Sequence, residues 1–187
     1  MMYFEFNENK AIAALLYISD QLINFKDLRS KPDLHKIFKI LYFADLYHIS
    51  KYGRPIVGDH YIAMEHGPVP SRIYDIVKIV RGDSLFDDMK GYCNILEVDG
   101  NHYVKPKKSA DMEEFSETDI ECIDKSIEEN KFLSFPALKR KSHDGAYNCA
   151  TKDDKISFNE MAKVAGASEA LLNYLRTHSE NERVLKR

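Results

Sequence analysis

The sequence has no tryptophan and only three cysteines, Cys93, Cys122 and Cys149. No two of them form a CxxC or CxxH pair, so the sequence indicates neither a zinc site nor a disulfide framework. Their wide spacing and odd number are typical of reduced thiols in the cytoplasm. We therefore expect a cytoplasmic protein without a bound metal or cofactor.

Long apolar runs are also absent. The longest, such as residues 11–18, are much shorter than the roughly 20 residues that cross a bilayer as a helix. The first ten residues, MMYFEFNENK, lack a basic stretch followed by an apolar one. We therefore expect neither a secretory signal nor a membrane partner.

Charge of one sign does not dominate. The chain has 27 basic and 30 acidic residues and a formal net charge of -3, which argues against a general nucleic-acid binder. DNA binding for autoregulation would need a local basic face. The candidates for such a face are Lys105, Lys107, Lys108, Lys139, Arg140 and Lys141.

The common catalytic motifs are missing. The sequence contains no GxSxG, no P-loop, no GxGxxG after a strand and no HExxH. Cys149 follows His143 by six residues, but nothing in the sequence lowers its thiol pKa, and a structural cysteine is the commoner case. We therefore assign no catalytic residue.

One alternative is an enzyme that acts on a small molecule or nucleotide. Asp59-His60 and Glu65-His66 flank a short strand-like segment and offer groups for acid–base chemistry or a divalent metal. Adjacent positions of a strand point to opposite faces, however, so these pairs are poorly arranged for shared coordination. We assign no metal ligand.

Apolar residues at helical spacing predict a mainly α fold, a compact helical domain of about six to seven helices with a small inserted β-hairpin. Asn7 caps a first helix that ends near Phe25, and a second helix has Pro32 in its first turn and ends at Gly53. Further helices are predicted from residue 71 to 82 and over 116–130, 134–142, 157–165 and from 168 onward.

An extended segment is predicted at residues 61–64, inside an ordered loop. The inserted hairpin is indicated by Asp99-Gly100 between two apolar runs. We expect a single domain over residues 1–178 and a charged tail over 179–187. Within the domain lie a core motif region at 34–82, the hairpin at 92–105 and C-terminal helices at 116–178.

The stretch from Lys39 to Tyr74 is dense in aromatic and polar residues. Tyrosine and arginine are over-represented at the energetic centres of interfaces. Tyr42 and Phe43 fit a helical core equally well, so composition alone leaves core and interface open.

The order of motifs in this stretch resembles the Panacea domain of SocA-like antitoxins, which are often called phage-associated proteins. The motifs are ILYFAD at 40–45, His48, KYGRPI at 51–56, Gly58, Tyr61, HGPVP at 66–70 and Ile73-Tyr74. A weaker similarity extends to Ser142-His143-Asp144. There the family often carries a tryptophan after the histidine, whereas this chain has Tyr147.

The resemblance implies a largely helical antitoxin of a bacterial or prophage toxin–antitoxin pair, which neutralises a cognate toxin by direct protein contact. An alternative is a proteolytic adaptor that delivers the toxin to a cellular protease. Proline fixes φ and restricts the preceding residue, so the Gly-Pro-Val-Pro corner offers a pre-organised surface. The residues expected to bind the partner are Tyr42, Asp45, His48, Tyr52, Arg54, Tyr61, His66, Gly67, Pro68 and Tyr74.

Overall fold

The computed structural model describes residues 4–85, 90–100 and 102–185, with side chains described as far as residue 177. This part of the chain forms eight α-helices and two antiparallel hairpins. The helices are α1 (Glu8–Asn24), α2 (Leu34–Tyr52), α3 (Ser71–Arg81), α4 (Glu117–Asn130), α5 (Phe135–Ser142), α6 (Gly145–Cys149), α7 (Phe158–Val164) and α8 (Glu169–Leu185). The strands are β1 (Tyr61–Met64), β2 (Gly67–Pro70), β3 (Leu96–Asp99) and β4 (Tyr103–Pro106).

The predicted mainly α class is confirmed, with 59% helix. Seven of the helices lie where the apolar spacing places them. The eighth, α6, was not predicted, because its five residues are too few to show a helical period. None of the helices in the described residues is both long and apolar enough to span a membrane.

α2 is the central helix, and 14 of its 19 residues are buried. It begins after Asp33, whose carboxylate accepts a hydrogen bond from the backbone N–H of Lys36 at 2.9 Å. It ends at Gly53, which has a left-handed φ of 74°. The predicted start was wrong: Pro32 lies before the helix, and its carbonyl oxygen accepts a hydrogen bond from the N–H of Val104.

α2 lies between two hydrophobic clusters, which explains why it is apolar on more than one side. Its residues Ile37, Leu41 and Ala44 pack with α1, α3, α4 and the hairpin β3–β4. Its residues Phe43 and Leu46 pack with β1 and the helices α5, α7 and α8. The N-terminal and C-terminal parts of the chain therefore share one central element.

The inserted hairpin is confirmed as β3 and β4, with Leu96 opposite Pro106. The predicted first strand was too long at its start, because residues 92–94 form a turn of 3-10 helix. α4 begins with the predicted capping box, in which Ser116 and Asp119 bond to each other's backbone N–H. α8 remains helical over residues 179–185, where we expected a charged tail, and 186–187 lie outside the described residues.

A second hairpin, β1–β2, was not predicted in full, because only its first strand showed an extended pattern. Pro68 and Pro70 lie in β2, opposite Ala63 and Tyr61. Proline is tolerated there because the backbone groups of Ala63 and Tyr61 bond away from β2, to residues 153–156. The N–H of Ala63 donates to the carbonyl of Asp154 at 2.9 Å.

Candidate functional site

The turn between β1 and β2 and the first two residues of β2, together residues 65–68, pack tightly against α2 and α5, and we call them the Gly67 corner. Gly67 has a φ of 98°. A β-carbon at this position would lie 2.5 Å from Oγ of Ser142 and 2.8 Å from Cε of Lys39. Only glycine fits here, both by conformation and by space. The fold thus joins two segments that are far apart in sequence, 66–70 and 142–144.

The side chain of Lys39 contacts the buried side of the Gly67 corner. Its side chain is buried, and its ammonium group donates a hydrogen bond to the carbonyl oxygen of Pro68 at 2.9 Å. Burial lowers the pKa of Lys39 to about 7, because a charged group loses solvation in the interior. In the described part of the chain, no carboxylate forms an ion pair with it.

Two histidines and a phenylalanine form the outer face of the Gly67 corner. Nε2 of His35 donates to the carbonyl oxygen of His66 at 3.1 Å, and Nδ1 of His66 accepts from the ammonium of Lys139 at 3.3 Å. The ring of Phe135 lies 4.1 Å from that of His35 and 5.3 Å from that of His66, measured between centroids. Phe135 is 47% exposed, and His66 is also exposed, so both are available to a partner.

Residues 142–147 also contact the hairpin β1–β2. The rings of His143 and Tyr147 stack with centroids 4.0 Å apart, and the hydroxyl of Tyr147 donates to the carbonyl of Met64 at 2.9 Å. The hydroxyl of Tyr42 donates to the carboxylate of Asp144, also at 2.9 Å. Tyr147, which stands where the resemblance leads one to expect tryptophan, therefore ties α6 to the end of β1.

Asp45 and Tyr61 form a buried pair further along α2. The carboxylate of Asp45 accepts from the hydroxyl of Tyr61 and from the backbone N–H of Ile56, each at 2.7 Å. Burial raises the pKa of Asp45 to about 6. The pair fixes the loop after α2 and the start of β1 to the helix.

The predicted residues His48 and Arg54 lie at the far end of α2, around the buried carboxylate of Asp119. That carboxylate accepts from Arg54 and from Lys10 at 3.0 and 2.9 Å and lies 3.1 Å from Nε2 of His48. Burial alone would raise the pKa of Asp119, but the hydrogen bonds from His48, the backbone of Ser116 and Lys10 hold it well below its usual range.

The ten predicted partner-binding residues are therefore not one surface. His66, Gly67 and Pro68 lie at the Gly67 corner, whereas Tyr52 and Arg54 lie about 20 Å away along α2 at 1.5 Å per residue. Tyr52 bonds to Glu121 there. Tyr74 lies on α3, edge-on to Phe38.

Most of the ten side chains are also inaccessible. Buried residues are Tyr42, Asp45, His48, Tyr61, Gly67 and Pro68; half-buried residues are Tyr52, Arg54 and Tyr74; only His66 is exposed. Sequence reasoning missed His35 and Phe135 and assigned Lys139 only to a DNA-binding face. No local signal marks them, because α5 reaches the corner only through the tertiary fold.

The structure does not bring together the four residues of the enzyme alternative. His60 precedes β1 and His66 follows it, so the strand separates them. The carboxylate of Asp59 accepts from the N–H groups of Arg72 and Ile73 at 3.1 and 3.0 Å, at the start of α3. Within the described ranges, no three or more His, Cys, Asp or Glu side chains are grouped as metal ligands.

Several of the basic residues that a DNA-binding face would use have carboxylate neighbours. Lys105 pairs with Asp99 at 2.6 Å and Lys107 with Glu97 at 3.5 Å, both within the hairpin β3–β4. Lys141 pairs with Glu129 at 3.3 Å. These pairs weaken the positive field that a phosphate backbone would meet.

Comparison with known proteins gives one result. The model of the family described as antitoxin SocA-like, Panacea domain, matches residues 37–147, from the first turn of α2 to the middle of α6. No curated protein and no solved structure matches the chain significantly. The matched range covers more than half of the chain and includes both segments that meet at the Gly67 corner. The chain therefore belongs to the SocA-like antitoxin family and carries its Panacea domain.

Proposed function

We propose that this protein is a cytoplasmic antitoxin that neutralises a cognate toxin by direct protein–protein binding, with the outer face of the Gly67 corner as part of the contact. Membership in an antitoxin family supports a role of this kind and favours binding over catalysis. The observation that carries the choice of surface is the contrast between a buried, fully packed base and an exposed face. Lys39 and Ser142 pack against Gly67 on its buried side, whereas His66 and Phe135 are exposed to solvent.

A surface of this type suits tight recognition. Because Pro68, Pro70 and the hydrogen bond from Lys39 already fix the backbone of β2 at this corner, little conformational entropy is lost when a partner binds. Phe135 offers exposed apolar area, and His66 and Lys139 offer polar groups beside it. Energetic centres of interfaces combine such apolar anchors with a polar surround.

In this proposal the buried members of the ten predicted residues act as scaffold. Asp45 and Tyr61 hold the strand that leads to the Gly67 corner, and Tyr42 holds Asp144 in the segment that packs beside it. Their substitution would weaken toxin binding by loosening the corner. His66 would contact the toxin directly.

The test is co-expression with the toxin encoded by the adjacent open reading frame. The wild-type protein is expected to restore growth and to co-purify with the toxin at a fixed stoichiometry. The double variant His66→Ala/Phe135→Ala is expected to lose both effects. His102→Ala serves as the control, because His102 is an exposed histidine in the other hairpin. No rescue and no complex with the wild-type protein would contradict the proposal.

The same cells separate binding from delivery to a protease. If the antitoxin masks the toxin, the toxin level stays constant or rises when the antitoxin is present, because the complex protects it. A fall in toxin half-life that disappears in a protease-deficient host would instead support the adaptor alternative.

A further inference from the structure

Three histidines and two lysines lie together around the Gly67 corner. They are His35, His66, His143, Lys39 and Lys139. No ion pair joins any of these side chains to a carboxylate in the part of the chain that the structure describes. Histidine becomes charged when the pH falls below about 6.5, so acidification collects positive charges at this corner.

The ring of His35 fits its place only in the neutral form. Its Nε2 donates to the carbonyl oxygen of His66 at 3.1 Å, and its Nδ1 is buried without a hydrogen-bond partner in the described structure. A proton on Nδ1 would create a buried N–H without an acceptor, which folded proteins almost never keep. Burial, and then the charge of Lys39, lower the pKa of His35 to about 4. The protonated ring is therefore stable only where water reaches it.

The contact between His66 and Lys139 also requires a neutral ring. The side-chain nitrogen of Lys139 lies 3.3 Å from Nδ1 of His66. Since an ammonium group can only donate, this Nδ1 accepts and carries no proton. Protonation of Nδ1 would place two donors and two positive charges face to face, so it would break the contact.

His143 is the third ring with this property. Its Nε2 is buried without a partner in the described structure, and burial, followed by the charges of Lys139 and Lys39, lowers its pKa. The charge of Asp144 acts in the opposite direction. The carboxylate of Asp144, however, accepts from the hydroxyl of Tyr42, so it does not bond to the imidazole.

The remaining charged groups around the corner do not bond to these rings in the described structure. They are Arg29, Asp33 and Lys36, which line the same open cleft as His35, and the exposed Glu65 next to His66. Asp33 accepts from the N–H of Lys36 and caps α2, and its charge favours the ammonium form of Lys39. None of these groups offers an acceptor to Nδ1 of His35.

Phe135 connects the imidazoles to the outer face of the corner. Its ring lies 4.1 Å from that of His35 and 5.3 Å from that of His66, measured between centroids. Phe135 is 47% exposed and is the apolar group of the proposed contact surface. A movement of either imidazole therefore removes support from that group.

We propose that the Gly67 corner is a proton-sensitive switch, which is closed and binds the toxin at neutral pH and which acidification opens, so that toxin binding weakens. In the open form the rings of His35 and His66 turn toward water, and Phe135 loses both contacts. The effect on the toxin rests on the proposed function, whereas the opening is a property of this chain alone. Protonation of histidines is a common trigger of such local changes.

The direction of the effect follows from His35. In the open form its pKa returns to the ordinary value of about 6.5, and in the closed form it is about 4. Between these values the open form binds more protons, so a falling pH favours it. From about pH 7.5 to about pH 5.5 the ratio of open to closed form is expected to rise about tenfold. Lys39, with a pKa of about 7, becomes charged in the same interval and adds to the repulsion.

A single tryptophan reports the opening, because the chain contains none. In Phe135→Trp the indole stands beside both imidazoles, and quenching of its fluorescence by acrylamide measures its accessibility. The quenching constant is expected to rise as the pH is lowered from about 7.5 to about 5.5. The far-UV circular dichroism is expected to stay constant over this range, because only the corner opens.

Two further variants connect the signal to the histidines. In Phe135→Trp/His35→Gln/His66→Gln, whose amides do not titrate, the quenching constant is expected to stay constant. Phe135→Trp/His102→Gln is the matched control, because His102 is an exposed histidine in the other hairpin, and it is expected to behave as Phe135→Trp does. Amide hydrogen exchange of the wild-type protein, with the hairpin β1–β2 compared with β3–β4, follows the same opening without a substitution.

Toxin binding is measured on the wild-type protein at the same two pH values. The dissociation constant is expected to be about three- to tenfold larger at the lower pH. Because the toxin also titrates, the informative quantity is the difference from His35→Gln, for which a change of about twofold or less is expected. His102→Gln is expected to keep the wild-type ratio.

A quenching constant of Phe135→Trp that does not depend on pH would overturn the inference. So would a loss of helical circular dichroism with the same midpoint, because the whole chain would then unfold. Equal pH ratios of the toxin dissociation constant in wild type and His35→Gln would also overturn it, and the proposed function would stand. If the wild-type protein binds no toxin at any pH, the proposed function fails, and the quenching and exchange experiments alone decide whether the corner opens.

Discussion

The side-chain nitrogen of Lys39 donates a 2.9 Å hydrogen bond to the carbonyl oxygen of Pro68, so a buried lysine fixes the start of β2 at the Gly67 corner. Burial of this group is costly, because a charged ammonium loses its solvation in the interior. The acceptor is also rigid, because proline fixes the φ of Pro68 and Pro70 restricts the backbone of Val69. The pair therefore links the central helix to the surface that we propose contacts the toxin.

The free energy of unfolding is expected to rise with pH between about 7 and 9 because of Lys39. Its folded pKa is lowered to about 7, whereas an unfolded lysine titrates near its ordinary value of about 10.4. Between these values the unfolded chain binds more protons, so raising the pH favours the folded state by up to about 1.4 kcal/mol per pH unit. Urea denaturation at pH 7, 8 and 9 measures the slope.

Lys39→Met is the matched variant for this slope, since methionine keeps most of the side-chain volume without the charge. Cys122 is expected to contribute in the opposite direction, because burial raises its thiol pKa to about 11. The informative quantity is therefore the difference between wild type and variant. If both proteins show the same slope, Lys39 is not the group that titrates.

Gly67→Ala is expected to lower the free energy of unfolding by about 2–4 kcal/mol. Part of this cost comes from a φ of 98° that an L residue adopts only with strain. The remainder comes from the overlap of the new methyl group with Ser142 and Lys39. Chemical denaturation of the purified variant measures the loss, and toxin neutralisation is expected to fall with it.

Gly82→Ala is the control for Gly67→Ala. Gly82 also has a positive φ, 74°, but a β-carbon there would meet nothing within 4 Å. It is expected to lose only about 1–2 kcal/mol, the usual cost of a left-handed L residue. An equal loss in the two variants would show that the packing of the Gly67 corner on Ser142 and Lys39 adds nothing to stability.

Tyr42→Phe is expected to lower the free energy of unfolding by about 1.5–3 kcal/mol, because the hydroxyl bonds to the charged carboxylate of Asp144 in a largely buried site. Tyr17→Phe removes a similar bond to Asp124, but at the exposed surface, where water replaces it and the loss is expected to be below about 1 kcal/mol. A double-mutant cycle with Asp144→Asn measures the coupling. Coupling near zero would mean that the bond between Tyr42 and Asp144 does not help to hold α6.

Local signals in the sequence were sufficient for much of the fold. The bond from Lys10 N–H to the side chain of Asn7 and the capping box of Ser116 and Asp119 lie within a few residues, so the sequence pattern reports them directly. Gly53 and Gly82 end their helices where predicted for the same reason. The β2 strand was missed because its two prolines normally argue against a strand, and only the tertiary pairing of β1 with residues 153–156 explains why they are tolerated.

The candidate site depends on contacts that no local pattern contains. Lys39 is an ordinary polar position of a helix in the sequence, and it becomes a buried support only because β2 lies over it. Phe135 and Lys139 reach His66 across about 70 residues. The aromatic density of residues 39–74 marked the correct region, but burial divided it into scaffold such as Tyr42 and exposed surface such as His66.

Asp119→Asn is expected to lower the free energy of unfolding at pH 7 by about 3 kcal/mol. The substitution replaces a buried carboxylate, which pairs with Lys10 and Arg54 and bonds His48, by a neutral amide. The folded pKa of Asp119 is depressed, so its contribution is fully present above the unfolded pKa of about 3.9 and is lost as the pH falls below that value. The wild-type protein is thus expected to lose stability more steeply than the variant between about pH 5 and 2. Acid unfolding followed by circular dichroism measures both curves.

Glu117→Gln, an exposed change in the same helical turn, is expected to leave the stability at pH 7 within about 0.5 kcal/mol of wild type. If Asp119→Asn behaves like Glu117→Gln, the side chains of Lys10, Arg54 and His48 are held by packing, and the carboxylate does not organise this end of α2.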